Sequence, residues 1–96
     1  MAQRTNRCGM DRVTARWIIA EEDLKDGVFF SAPDNAVDAV VIEETSDGYR
    51  VYNTDARAAV DENSITIFSE GSSALTEFVE RLRAWNEYLR LRNTNS

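Results

Sequence analysis

Three runs of adjacent acids are the most chemically suggestive feature of the sequence: Glu21-Glu22-Asp23, Glu43-Glu44 and Asp61-Glu62. Paired carboxylates can hold a hard divalent cation or share acid and base roles in hydrolysis. None of the three has the alternating-acid spacing of a calcium loop, and neighbours on a strand point to opposite faces, so Glu43 and Glu44 are not expected to converge. Cys8 is the single cysteine, and the chain has no histidine. A thiol without a histidine lacks the usual activating base, and the commonest metal ligand is missing as well. The four glycines are scattered and build no phosphate loop. We therefore expect a protein that is not an enzyme, takes no cofactor or metal, and works through its surface.

The elements that must position that surface follow from periodicity. Met1 to Gly9 is polar, without an apolar core, and reads as a disordered arm, with Met10 an alternative start. Residues 11–25 support two readings. Val13, Trp17, Ala20 and Leu24 share a helical face, with Asp11 as cap and Gly27 as stop. Alternatively, Asp26-Gly27 before Val28-Phe29-Phe30 signals a hairpin, with Ala15 to Ala20 as a strand. After a loop at Pro33, Val37 to Glu44 reads as a strand with apolar residues on both faces. A Ser46-Asp47-Gly48 turn leads into the alternating strand from Tyr49 to Thr54, and the pattern weakens through Ala58 and Val60. Asp61 to Ser64 reads as the next turn and Ile65 to Phe68 as a third strand.

The clearest element is a helix from about Ser72 to Arg92. Leu75, Phe78, Leu82, Trp85 and Leu89 recur at spacings of three and four, and Val79 widens the stripe. Trp85 and Tyr88 read as core or core-edge residues. The fold expected is one α+β domain over residues 10–92. It has an antiparallel sheet of three strands, or four, a long C-terminal helix across one face and a short N-terminal helix. Residues 93–96 form a frayed tail. A sheet this small needs such a cover.

No apolar run is long enough to span a membrane and no leader is visible, so the expected compartment is the cytoplasm. The net charge of −6 is unevenly placed, with fifteen of the seventeen acids between residues 20 and 80 and eight of the eleven bases outside that stretch. Such a middle repels nucleic acid and anionic membrane and attracts basic surfaces. An α-β-β-β-α order is also that of double-stranded RNA-binding modules, but here the loops are acidic where those need bases. The expected partner is therefore a protein, with no nucleic acid and no membrane. The chain is expected to be a monomer, with a homodimer as the alternative. Candidate contacts are Asp38, Glu43, Glu44, Asp47, Asp61 and Glu62, on strands or turns of one sheet. Tyr52 joins them as an outward aromatic anchor; the other reading packs it on Trp17 or Phe29.

From Tyr49 to Leu89 the chain resembles small bacterial immunity proteins of polymorphic-toxin and contact-dependent growth inhibition systems. The resemblance lies in the Asp47-Gly48 turn, the strand Tyr49-Arg50-Val51-Tyr52, then Thr54-Asp55-Ala56-Arg57 and Phe68-Ser69-Glu70-Gly71. It ends on the helix pattern Ala74-Leu75, Phe78, Leu82. It implies a cognate inhibitor that binds and blocks a toxin domain, often a nuclease. The alternatives are an adaptor or subunit domain of a larger complex, or a phage-type acidic mimic of nucleic acid.

Overall fold

A computed structural model describes residues 10–94. The elements run α1 (Arg12–Glu21), β1 (Gly27–Phe29), β2 (Val40–Thr45), β3 (Gly48–Thr54), β4 (Val60–Phe68) and α2 (Gly71–Thr94). The architecture is α+β as expected: a four-stranded sheet in the order β1-β2-β3-β4 with both helices on one face. The proposed arm over 1–9, with Cys8, and the last two residues of the proposed tail lie outside the described residues.

Of the two readings of residues 11–25 the helix is the one observed; Ala15 to Ala20 is not a strand, and β1 after Asp26 pairs in parallel with β2 and forms no hairpin with it. The helix forms, capped by Asp11, whose carboxylate accepts from the Thr14 amide at 2.7 Å. It stops at Glu21, Asp23 turns the chain with φ 51°, and the segment after Asp26 becomes β1. The buried face of α1 is not the expected one. Val13 and Trp17 are 77% and 63% exposed, while Ala15 is fully buried with Ile18 and Ile19 beside it. A small residue at the closest approach lets the helix backbone sit near the core. Leu24 reaches the core only because the helix has already ended.

β2, β3 and β4 form an antiparallel meander, and β1 adds to β2 in parallel, so the sheet is mixed. A parallel neighbour requires the chain to return across a face before re-entering. Here residues 30–39 make that return without a helix. Phe30 still packs on the helix side, under Arg12, but the later part lies on the face away from α1 and α2: the Thr54 hydroxyl, on that side, donates to the Ala36 carbonyl at 2.9 Å and accepts from the Ala39 amide at 2.9 Å.

The β2–β3 turn falls where expected. Gly48 has φ 149°, and a Cβ there would collide with the Phe68 carbonyl, so glycine is required. The β3–β4 turn does not fall where expected. It lies at residues 55–59, where the Asp55 carboxylate accepts from the amides of Arg57 at 2.8 Å and Ala59 at 3.0 Å. The turn residues Asp61 to Ser64 are instead inside β4. There the register shifts: Val51 pairs with Thr66 and Asn53 with Asp61, so two steps on β3 face five on β4. The Ser64 hydroxyl closes this bulge, accepting from the Asn53 amide and donating to the Asp61 carbonyl.

The core lies between the sheet and α2. Val40, Ile42 and Val51 of the sheet meet Ala74, Leu75, Phe78, Val79 and Leu82 of the helix. Full burial of each large side chain contributes roughly 1.5–3 kcal/mol. Gly27 marks the closest approach, since a Cβ there would stand 2.9 Å from a Leu82 methyl.

Candidate partner-binding surface

Strand alternation puts Glu43 and Glu44 on opposite faces, as expected, and each meets an arginine. Glu43 pairs with Arg50 across the β2–β3 ladder, on the face away from the helices. Glu44 pairs with Arg12 of α1 at 3.0 Å on the other face. Arginines from the two ends of the chain thus fold back onto its acidic middle. Arg83 of α2 grips Glu22 at 2.6 Å, and Arg81 holds Glu77 at 2.7 Å. The uneven charge read along the sequence is partly levelled in three dimensions. Such surface pairs add little stability, but they remove carboxylates from those able to attract a partner.

Three of the candidate acids share one end of the sheet. Asp38 precedes β2, and Asp61 and Glu62 open β4. The register Val40–Asn53–Asp61 puts all three at one end of the sheet. The Asp38 amide donates to the Asp55 carbonyl at 3.0 Å, tying the crossover to the β3–β4 turn at that end. Asp38, Asp61 and Glu62 make no ion pair among the described residues and are exposed. Asp55 adds negative charge to the group. Its two turn amides, and more weakly Arg57, hold its carboxyl below the ordinary aspartate value. Asp47 lies in the β2–β3 turn at the opposite end, so it does not share this surface.

Tyr52 occupies neither position considered from sequence. It faces away from the helices, as the alternation implies, and sits opposite Val41. Yet it is only 5% exposed and Val41 is fully buried. The crossover on that face accounts for both, and burial pushes the Tyr52 phenol above its ordinary pKa. Its ring offers no surface for docking and is not packed on Trp17 or Phe29; it belongs to a small second core.

The exposed aromatic surface lies elsewhere. On α2 the stripe of Leu75, Phe78 and Leu82 is buried, but the helix continues about 18 Å past Leu82 at the standard rise. Trp85 is fixed by its indole donating to Asp26 at 2.7 Å. Tyr88 stacks on Trp85 with centroids 5.4 Å apart, and it is 51% exposed. The Arg92 guanidinium lies 5.6 Å from the Tyr88 centroid. On its other side this part of the helix borders a cavity of about 640 Å³ between the α1–β1 connection and α2, lined by Glu22, Lys25, Asn86 and Leu89 among others. Sequence periodicity places Trp85 on the buried stripe; the signal that it would stand at the margin is the length of the helix against the short strands it covers.

No group of three or more potential ligands converges as a metal site among the described residues. No helix is long and apolar enough to cross a membrane.

Fold and surface together define a small α+β domain with helices on one face of a mixed sheet and an acidic end. No family model, curated protein or solved structure matches the chain.

Proposed function

We propose that this domain is an immunity protein. It binds a cognate toxin domain in the cytoplasm and neutralises it by covering a basic, nucleic-acid-cleaving surface. The observation that carries the reading is the end of the sheet to which Asp38, Asp61 and Glu62 all belong, exposed and without ion pairs among the described residues, although arginines elsewhere neutralise Glu43, Glu44, Glu22 and Glu77. Negative charge concentrated at one place speeds encounter with a cationic target and disfavours nucleic acid and anionic lipid. The domain acts by occlusion, without catalysis or cofactor. The resemblance of residues 49–89 to toxin-immunity proteins supports the same reading.

The test is co-expression with basic nuclease domains of toxins from the source organism, scored by survival. Rescue by the wild-type chain, with a co-purifying complex that weakens as salt rises, is the expected result. Failure to rescue any of them excludes the proposal.

A second reading, a subunit domain docking into a larger assembly, is favoured by Val13 and Trp17, exposed side by side on α1. Under that reading Trp17→Asp abolishes assembly, whereas under the first it leaves rescue intact.

A further inference from the structure

We infer that the partner seats in the step formed where α2 overhangs the acidic end of the sheet, and that the seated element is a cationic protein segment bearing an apolar side chain. The inference rests on the proposed function and names the surface and the chemistry of its occupant.

Arg81, Trp85, Tyr88 and Arg92 follow one another at four, three and four residues, so they form a single ridge along α2. At its inner end, Arg81 donates to Asn53 Oδ1 at 2.8 Å and to Thr66 Oγ1 at 3.0 Å, across the β3–β4 pair. Asn53 is the register partner of Asp61. The ridge therefore leaves the sheet at the end where Asp38, Asp61 and Glu62 are gathered. Beyond Trp85, exposure reaches 51% at Tyr88 and 52% at Leu91. Two surfaces thus lie toward one end of the sheet: the aromatic flank of the helix, and the carboxylates at the strand ends.

The two surfaces ask for different things from one occupant. Trp85 and Tyr88 are held in place by the Asp26 hydrogen bond and by their own stacking. Rigid aromatics of this kind gain contact area at small entropic cost. They suit an aliphatic or aromatic side chain at their exposed edges. The carboxylates suit lysine or arginine flanking that side chain and reject phosphate-rich ligands. A basic segment with an apolar tip satisfies both, whereas nucleic acid is repelled by the carboxylates.

The experiment uses the full chain carrying Trp17→Phe, which leaves Trp85 as the remaining tryptophan and a reporter inside the step. The probe is a synthetic helical peptide with arginines and leucines on one face. Its control has the same charge with serine in place of leucine. The expected result is a saturable change in Trp85 emission with the leucine peptide at low salt. Affinity falls about fivefold or more with Tyr88→Ala, and likewise with Asp61→Asn and Glu62→Gln combined. Circular dichroism confirms that each variant is folded. Equal binding of both peptides, or binding indifferent to Tyr88→Ala, overturns the inference by reducing the effect to bulk charge. A concentration-dependent dimer in sedimentation, lost in Tyr88→Ala, overturns it in favour of a second copy of the chain. Rescue from a toxin domain that persists in both variants removes this surface but leaves the proposed function standing. Peptide seated at Trp85 without rescue from any toxin domain leaves the surface standing and removes the function.

Discussion

The two halves of α2 carry one apolar pattern and meet two different fates. Leu75, Phe78 and Leu82 are 3%, 0% and 0% exposed, and the sheet lies beneath them. Trp85 and Leu89 continue the same stripe, yet both are only half-buried, and Tyr88 beside them stands open. The spacing of apolar residues says which side of a helix would be buried. Whether anything lies there to bury it depends on how far the strands reach. Where they stop, a stripe built to the same rule becomes a surface available to another molecule.

The sharpest way to break this contrast is to place a charge in each half. Leu82→Asp puts an unpaired carboxylate in the core and is expected to abolish folding, seen as loss of the far-ultraviolet signal and of a cooperative melt. Leu89→Asp is expected to leave the fold intact; if the two variants melt alike, the halves are not distinct. Next in size, Phe78→Ala should cost about 3–5 kcal/mol in denaturant unfolding, the range for truncating a buried phenylalanine.

The opposite face of the sheet gives a smaller effect. Thr54→Val leaves the Ala39 amide and the Ala36 carbonyl without their hydroxyl partner, and should cost about 1–3 kcal/mol. Hydrogen exchange should quicken at Ala39, because the crossover that buries Tyr52 loosens. An unchanged rate there would mean that the crossover is held by other contacts.

The pH dependence is gentler still. Asp11, Glu22 and Asp55 all have carboxyls held below their ordinary values: Asp11 chiefly by the Thr14 amide, Glu22 by the Arg83 guanidinium, and Asp55 by the Ala59 and Arg57 amides. A lowered folded pKa means that the unfolded chain takes up protons first as pH falls. The stabilisation is complete above the ordinary carboxylate range. It drains away as pH drops through that range and is gone below the folded values. Asp55→Asn should therefore flatten the fall in melting temperature on acidification, and an unaltered slope would remove Asp55 from this account. Smallest of all, Tyr88→Ala should shift stability by less than about 0.5 kcal/mol, since a half-exposed side chain on the overhang supports little of the fold. A larger loss would show that this half of α2 is part of the core.

Much of the fold was readable from local pattern. The α2 stripe as far as Leu82, the Asp47-Gly48 turn and the alternation around Tyr49 to Thr54 all rest on neighbours within a few residues, and all appear where expected. The errors share a cause. Asp61 to Ser64 has turn chemistry, but the Asp55 side chain forms the turn first by binding two amides just after it. The later residues then serve as a bulge. On α1 periodicity picked the face of Val13 and Trp17, but Ala15, Ile18 and Ile19 offered a second apolar face, and that is the one buried. Packing chose the smaller residue, because close approach to α2 and the sheet excludes an indole. The parallel pairing of β1 carried no local signal at all.

The candidate surface was legible to a lesser degree. That acids would dominate the middle of the chain follows from composition, and so does the choice of a protein over a nucleic acid as the expected partner. Which acids stand together does not. Asp38 and Asp61 are far apart in sequence and meet through strand register, while Glu43 and Glu44 are adjacent and part to opposite faces, each to its own arginine. The order of residues settled the C-terminal helix, the turn at Gly48 and the sign of the net charge, because each depends on local sterics or on simple counting. Burial of Tyr52, exposure of Trp17 and the overhang beyond Leu82 were decided only when the elements packed. Each depends on what lies on the far side of a contact, and the chain brings that neighbour in from a distant part of itself.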